Sequence, residues 1–143
     1  AQLKRLLESQ KMTEQEAECI RIRDIRRFVE SGLGQRMKKA AMKKHLYREQ
    51  PFVIQRNASM LDDGWKNETV LVQGIIDAYF MEEEEIVLVD YKTDRVRRGQ
   101  EQKLIDLYHV QLEDYARALE RMTGKKVKEK IIYSFTLQKE ILL

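Results

Sequence analysis

Residues 74–96 read GIIDAYFMEEEEIVLVDYKTDRV. Two apolar runs, 69–80 and 86–92, flank the glutamates Glu82 to Glu85. Short runs rich in β-branched and aromatic residues are expected to be strands. The acidic stretch then reads as the solvated tip of a hairpin. Pairing Glu82 with Glu85 carries down the ladder to Asp77 opposite Asp90. Directly opposed residues on one face have Cβ atoms about 4.5–5.5 Å apart. Lys92 follows Asp90 by two positions, so both side chains point the same way. A carboxylate inside such a run is costly unless it is paired or metal-bound, and two this close repel unless a cation sits between them. A one-residue slip would destroy the arrangement. Glutamates are poor residues for a two-residue turn, so a longer even loop that preserves the pairing is also open.

Outward from the hairpin, residues 101–123 carry a long helical pattern that stops at Gly124, and KVKEKIIYSFTL (126–137) reads as a further strand. Upstream, HLYREQPFVIQ (45–55) is extended, since Pro51 forbids a helix interior, and NASMLDDGWKN (57–67) is a loop with Trp65 as an anchor. The first 45 residues read helical. Leu3, Leu6 and Leu7 form a short amphipathic set, and Thr13 with Glu16 has capping-box spacing. Ala17, Ile20, Ile25, Phe28 and Val29 give an apolar face, stopped by Gly32 and Gly34. A shorter helix, QRMKKAAMKK (35–44), follows, with Lys38, Lys39, Lys43 and Lys44 on a solvated face. Helices, three strands, a helix and a strand predict an α/β domain with a central sheet and helices on its faces.

At 143 residues the chain suits one domain. It is 43% hydrophobic and 36% charged, with a net charge of +3, a balance that permits a nucleic-acid partner without requiring one. Cys19 is alone, so the chain holds no disulfide of its own, no cysteine zinc site and no iron–sulfur cluster. A single free cysteine fits a reducing, cytoplasmic setting. No apolar run reaches a membrane span of about 18 residues and no signal peptide is visible, so no membrane partner is expected. AQLKRLLESQ lacks an initiator methionine and KEILL looks like a strand cut short, so a fragment of a longer protein is expected. There is no GxxxxGK[ST] sequence, which excludes an ATP-driven motor within this chain.

Two carboxylates at a sheet edge suit Mg²⁺, with Mn²⁺ as an alternative. A metal there could activate water and stabilise charge on a phosphate, and a lysine on the same face could orient or deprotonate the water, or offset transition-state charge. On the long helix, Gln111 and Tyr115 are four apart and share a face. They could meet DNA phosphates or brace the lysine.

MTEQEA (12–17), SGLGQRM (31–37), YREQPF (47–52), QGIID (73–77), DYKTD (90–94), QLEDY (111–115) and KVKEKIIYSF (126–135) occur in that order. Together they resemble the RecB/AddA-type nuclease domain of the PD-(D/E)XK superfamily over nearly the whole chain. The resemblance implies a restriction-endonuclease-like fold: one nuclease domain over 1–143, with a helical part at 1–45 and a sheet core at 46–143. It implies Asp77, Asp90 and the Tyr91 carbonyl as metal ligands, Lys92 as the catalytic lysine, and Gln111 with Tyr115 as a supporting pair. Glu49 falls on a family motif and would brace or extend the site. Arg95, Arg97 and Arg98 follow the lysine and could contact phosphates. The implied activity is metal-dependent DNA hydrolysis, as an exonuclease, within an ATP-dependent helicase–nuclease that processes double-strand breaks for recombinational repair. The implied partners are DNA ends, unwound single strands and an AddB-type subunit, with ATP confined to a motor outside this chain. The alternative is a non-catalytic nuclease-like module that binds DNA or docks another protein of the complex. The family's metal-binding histidine on an upstream helix has no counterpart here. His45 and His109 have different surroundings, so a weakly active fragment is expected.

Overall fold

The computed structural model describes residues 22–57 and 69–143. In chain order the elements are α1 (Ile22–Glu30), α2 (Gly32–Met42), β1 (Leu46–Asn57), β2 (Thr69–Glu82), β3 (Glu85–Lys92), α3 (Glu101–Thr123), β4 (Val127–Ser134) and β5 (Lys139–Leu142). The strands form one sheet in the order β1-β2-β3-β4-β5. Only β3 and β4 run parallel. Parallel neighbours need a long crossover, and α3 supplies it. This is a restriction-endonuclease-like α/β layer with helices on both faces. The leucine-rich pattern at 3–7, the Thr13 capping box, Ala17, Ile20 and Trp65 lie outside the described residues.

Each face of the sheet has its own core. Phe28, Leu33, Met37 and Ala40 of α1 and α2 pack on Phe80, Val87, Val89, Ile131 and Tyr133. On the other face, Leu104, Leu112, Tyr115 and Leu119 of α3 pack on Ile76, Ile86, Leu88 and Ile132. Fully burying one such aliphatic side chain stabilises the fold by about 1.5–3 kcal/mol.

The hairpin register runs as the sequence predicts, from Glu82 opposite Glu85 to Ala78 opposite Val89. The turn is the tight two-residue kind, not a longer loop. Glu83 and Glu84 both take positive φ, 50° and 69°, as a type I′ hairpin requires. Charge pairs hold the base of the turn and one of its glutamates. Arg36 donates to both oxygens of Glu82, at 2.7 and 3.0 Å, and pairs with Glu129. Lys128 reaches Glu82 at 3.2 Å and Lys125 pairs with Glu84. The Arg36 hydrogen bond holds the Glu82 carboxyl down at about 2. The tip is therefore an ion-pair network as well as a solvated turn.

Three local expectations change. Val29 is exposed, because Phe28 and half-buried Ile25 carry the α1 contact. The strand expected at 126–137 ends at Ser134, turns, and returns as β5. Gly32 and Gly34 do not merely stop α1, since Ser31 caps a new helix by accepting the Gly34 N–H at 3.0 Å. Gly34 is inside α2 because α1 ends against it. A Cβ there would lie 2.2 Å from the Phe28 carbonyl oxygen and 2.6 Å from that of Val29. Both obstacles are backbone and cannot swing aside. Gly34→Ala is therefore expected to destabilise the chain by about 2–3 kcal/mol, read from urea unfolding. A loss under about 0.5 kcal/mol would mean that the α1–α2 corner opens freely.

Candidate active site

The sheet forks at Asp77. Above it, β2 pairs with both β1 and β3; below Ala78, β2 pairs only with β1, and beyond Val89, β3 pairs only with β4. The sidedness of β2 also switches there. Val72 and Ile76 face α3, whereas Ala78 and Phe80 face α1 and α2. β1 is interrupted at the same level, where Glu49 has φ 51° and the ladder passes from Arg48–Ala78 to Gln50–Ile76 without pairing Glu49 to Asp77. A left-handed residue breaks the alternation. Asp77 and Asp90 are thus not partners in the regular ladder. Instead, Oδ2 of Asp77 accepts the Tyr91 N–H at 2.9 Å. The aspartate replaces the ladder bond lost at the fork.

Asp90 and Lys92 both project towards α3, as alternation requires. Lys92 Nζ lies 2.8 Å from Asp90 Oδ2 and donates to Gln111 Oε1 at 3.0 Å. It also lies 3.8 Å from the centre of the Tyr108 ring. Asp90 is 2% exposed and Asp77 8%. Despite its contact with Lys92, Asp90 Oδ2 is buried without a hydrogen-bond donor in good alignment. Burial, then the neighbouring Asp77 charge, raises the Asp90 carboxyl to about 7, against the pull of Lys92. Tyr115 is nearly buried, edge-on to Phe52 with ring centres 5.0 Å apart. Burial and then the charges of Asp90 and Asp77 push its hydroxyl well above its usual range, so it stays protonated.

The structure thus gathers Asp77, Asp90, Lys92, Gln111 and Tyr115 at one end of the sheet, on its α3 side. Glu49 is exposed at the β1 position across from Asp77. Arg95, Arg97 and Arg98 are on the 93–100 segment that leaves β3 directly after Lys92. His45 precedes β1 near the hairpin tip, where it lines a cleft with Arg36, Tyr47 and Glu82. His109 is exposed on α3, its Nδ1 3.2 Å from the Ile105 and Asp106 carbonyls. Neither histidine joins the acids.

The donors present fit a hard divalent cation. Two adjacent carboxylates, one with an oxygen lacking an aligned donor and its proton affinity raised, are what a cation would relieve. Among the described residues, no three His, Cys, Asp or Glu side chains converge, so any further ligand would be a carbonyl, water or phosphate oxygen. Sequence reasoning missed two neighbours. Asp114, buried on α3, pairs with Arg56 of β1 at 3.3 Å. Together with Gln111, Tyr115 and Gly74 these two line a hollow of about 290 Å³ beside the acids. Tyr108 is the other, and its signal was its position three residues before Gln111 on the same helix face.

This fold and cluster define a nuclease-type domain, and the chain belongs to the PD-(D/E)XK nuclease superfamily, which its sequence matches over residues 1–141. It is 39% identical over 98% of its length to an ATP-dependent helicase/nuclease subunit of Clostridium novyi. It is 42% and 44% identical, over 94% of its length, to proteins of the same name from a Thermoanaerobacter species and Acetivibrio thermocellus. The chain spans only 11 to 12% of the length of these relatives. Among the described residues no helix is long and apolar enough to cross a membrane.

Proposed function

We propose that this chain is a DNA-hydrolysing domain whose site is Asp77, Asp90, the Tyr91 carbonyl and Lys92. The observation that carries the reading is the joining of Lys92 to Asp90 and Gln111 at the fork where Asp77 meets Tyr91. Asp77 and Asp90 would hold Mg²⁺, or Mn²⁺ in its place. Bound there, the ion supplies Lewis-acid stabilisation of charge on the scissile phosphate.

The protein's own groups do the rest. Tyr91 N–H fixes the Asp77 carboxylate at the fork. Gln111 holds the Lys92 ammonium beside Asp90, where it offsets charge on the phosphate and orients the attacking water. Tyr115, kept protonated, remains a hydrogen-bond donor. Arg95, Arg97 and Arg98 add sequence-independent attraction for the strand, and exposed Glu49 borders the acids from β1.

The kinship with helicase/nuclease proteins supports a wider reading. The domain would belong to an ATP-driven enzyme that trims unwound strands at double-strand breaks in the cytoplasm, as an exonuclease beside an AddB-type subunit. The direct test is cleavage of an end-labelled single-stranded DNA by the 143-residue chain with Mg²⁺. Cleavage that EDTA abolishes and added Mg²⁺ restores is expected. Binding of DNA with no cleavage under any divalent ion would favour a module that only docks DNA.

A further inference from the structure

From the surroundings of Lys92 we infer that Tyr108 is a positioning residue for that lysine, clamped in place by Asp94; the inference rests on the nuclease reading above. The Tyr108 hydroxyl donates to Asp94 Oδ2 at 2.7 Å. Its ring faces Lys92 Nζ at 3.8 Å, well inside the roughly 6 Å reach of a cation–π contact.

Asp94 is held in turn. Thr136 Oγ1 in the β4–β5 turn donates to the Asp94 carbonyl at 2.7 Å and lies 3.3 Å from that of Thr93. The Phe135 N–H donates to the Lys92 carbonyl at 3.0 Å. The path runs from the far hairpin, through the segment after β3, to a ring fixed over the ammonium.

The clamp matters because lysine is a flexible four-carbon stem carrying a strongly hydrated point charge. Ordering it costs rotamer freedom. Lys92 is 16% exposed and meets three restraints: the Asp90 carboxylate of its own strand, and the Gln111 amide and Tyr108 ring of α3. The ring restrains the ammonium without adding a second carboxylate, so the charge remains available to a phosphate. A ring carried on α3 also couples the lysine to the same helix that presents Gln111 and Tyr115.

Two readouts test this, one of which needs neither metal nor cleavage. In NMR spectra of the metal-free chain, the Lys92 ε-methylene protons should be shifted upfield by the ring current of Tyr108. Tyr108→Leu should remove that shift, and Tyr108→Phe should keep most of it. In single-stranded DNA cleavage, Tyr108→Leu should lower kcat about 10-fold with KM within about twofold. Tyr108→Phe, which keeps the ring and loses its anchor, should lower kcat only about two- to threefold. Unchanged Lys92 shifts in Tyr108→Leu would overturn the clamp, as would equal kcat losses in the Leu and Phe variants. If the unaltered chain fails to cleave, the nuclease reading falls, and the Lys92 shifts alone decide the clamp.

Discussion

Lys92→Ala is expected to slow DNA cleavage by about 10²–10³-fold, the usual cost of removing one preorganised group that stabilises charge in a transition state. DNA affinity should stay within a few-fold, because the arginines after β3 are untouched and phosphate contacts supply most sequence-independent affinity. Among the described residues, Lys92 is one of the few lysines with most of its side chain out of water, and it points at a buried acid. A surface ion pair is worth little and would be replaceable. A lysine that acts on the phosphate would not be. Cleavage by Lys92→Ala at the wild-type rate would assign Lys92 to the ion-pair role alone.

The second large effect has two opposite sides. Asp90→Asn should abolish cleavage and metal binding, yet make the metal-free chain more stable at neutral pH. The sign follows from the shift. The folded carboxyl titrates near 7, above its ordinary 3.8. Between these values the folded chain keeps a proton that the unfolded chain releases. The stability this supplies is complete below pH 3.8 and is lost as pH rises through about 7. Asparagine does not titrate, so that slope disappears. The gain should therefore show at pH ~7.5, where Asp90 would be charged beside Asp77, and shrink towards pH ~5. Urea unfolding at about pH 5 and pH 7.5, without metal, reads the gain at each. A less stable Asn variant with the wild-type pH slope intact would show that Asp90 is ionised and fully satisfied without a cation. The strain at Asp90 would then have no functional meaning, whereas an opposing gain and loss is the usual mark of a site kept for chemistry at the expense of stability.

How much of this was legible in the sequence differs from element to element. The β2–β3 hairpin could be read because its two apolar runs flank four glutamates symmetrically. α3 could be read because its pattern ends at a glycine, which takes the left-handed conformation with φ 70°. Lys92 sharing a face with Asp90 followed from strand period alone. The fork was not legible. It lies level with a positive φ at Glu49, and nothing in REQPF marks a left-handed glutamate. Period-2 reasoning therefore set Asp77 squarely opposite Asp90, although its carboxylate bonds one residue further on, to Tyr91. The tight turn at Glu83 and Glu84 was hidden for a related reason. Arg36 and Lys128 pin Glu82 at its base and Lys125 pairs with Glu84, all from distant elements, and propensity carries no record of such partners. Gly34 read as a helix stop because sequence distinguishes poorly between a glycine that ends a helix and one that lets a neighbouring backbone approach. Tyr108 and Asp94 were passed over because their contact joins α3 to an irregular segment, where no period applies.

Asp77 and Asp90 should form one cation site served by Lys92. Anomalous diffraction from crystals of the chain soaked in Mn²⁺ tests it most directly. One manganese peak is expected at the fork, bonded to oxygens of both Asp77 and Asp90 and to the Tyr91 carbonyl, with Lys92 Nζ still hydrogen-bonded to Gln111. A fork with no manganese at saturating concentration, or an ion held elsewhere on the chain with Asp90 still against Lys92, would contradict it.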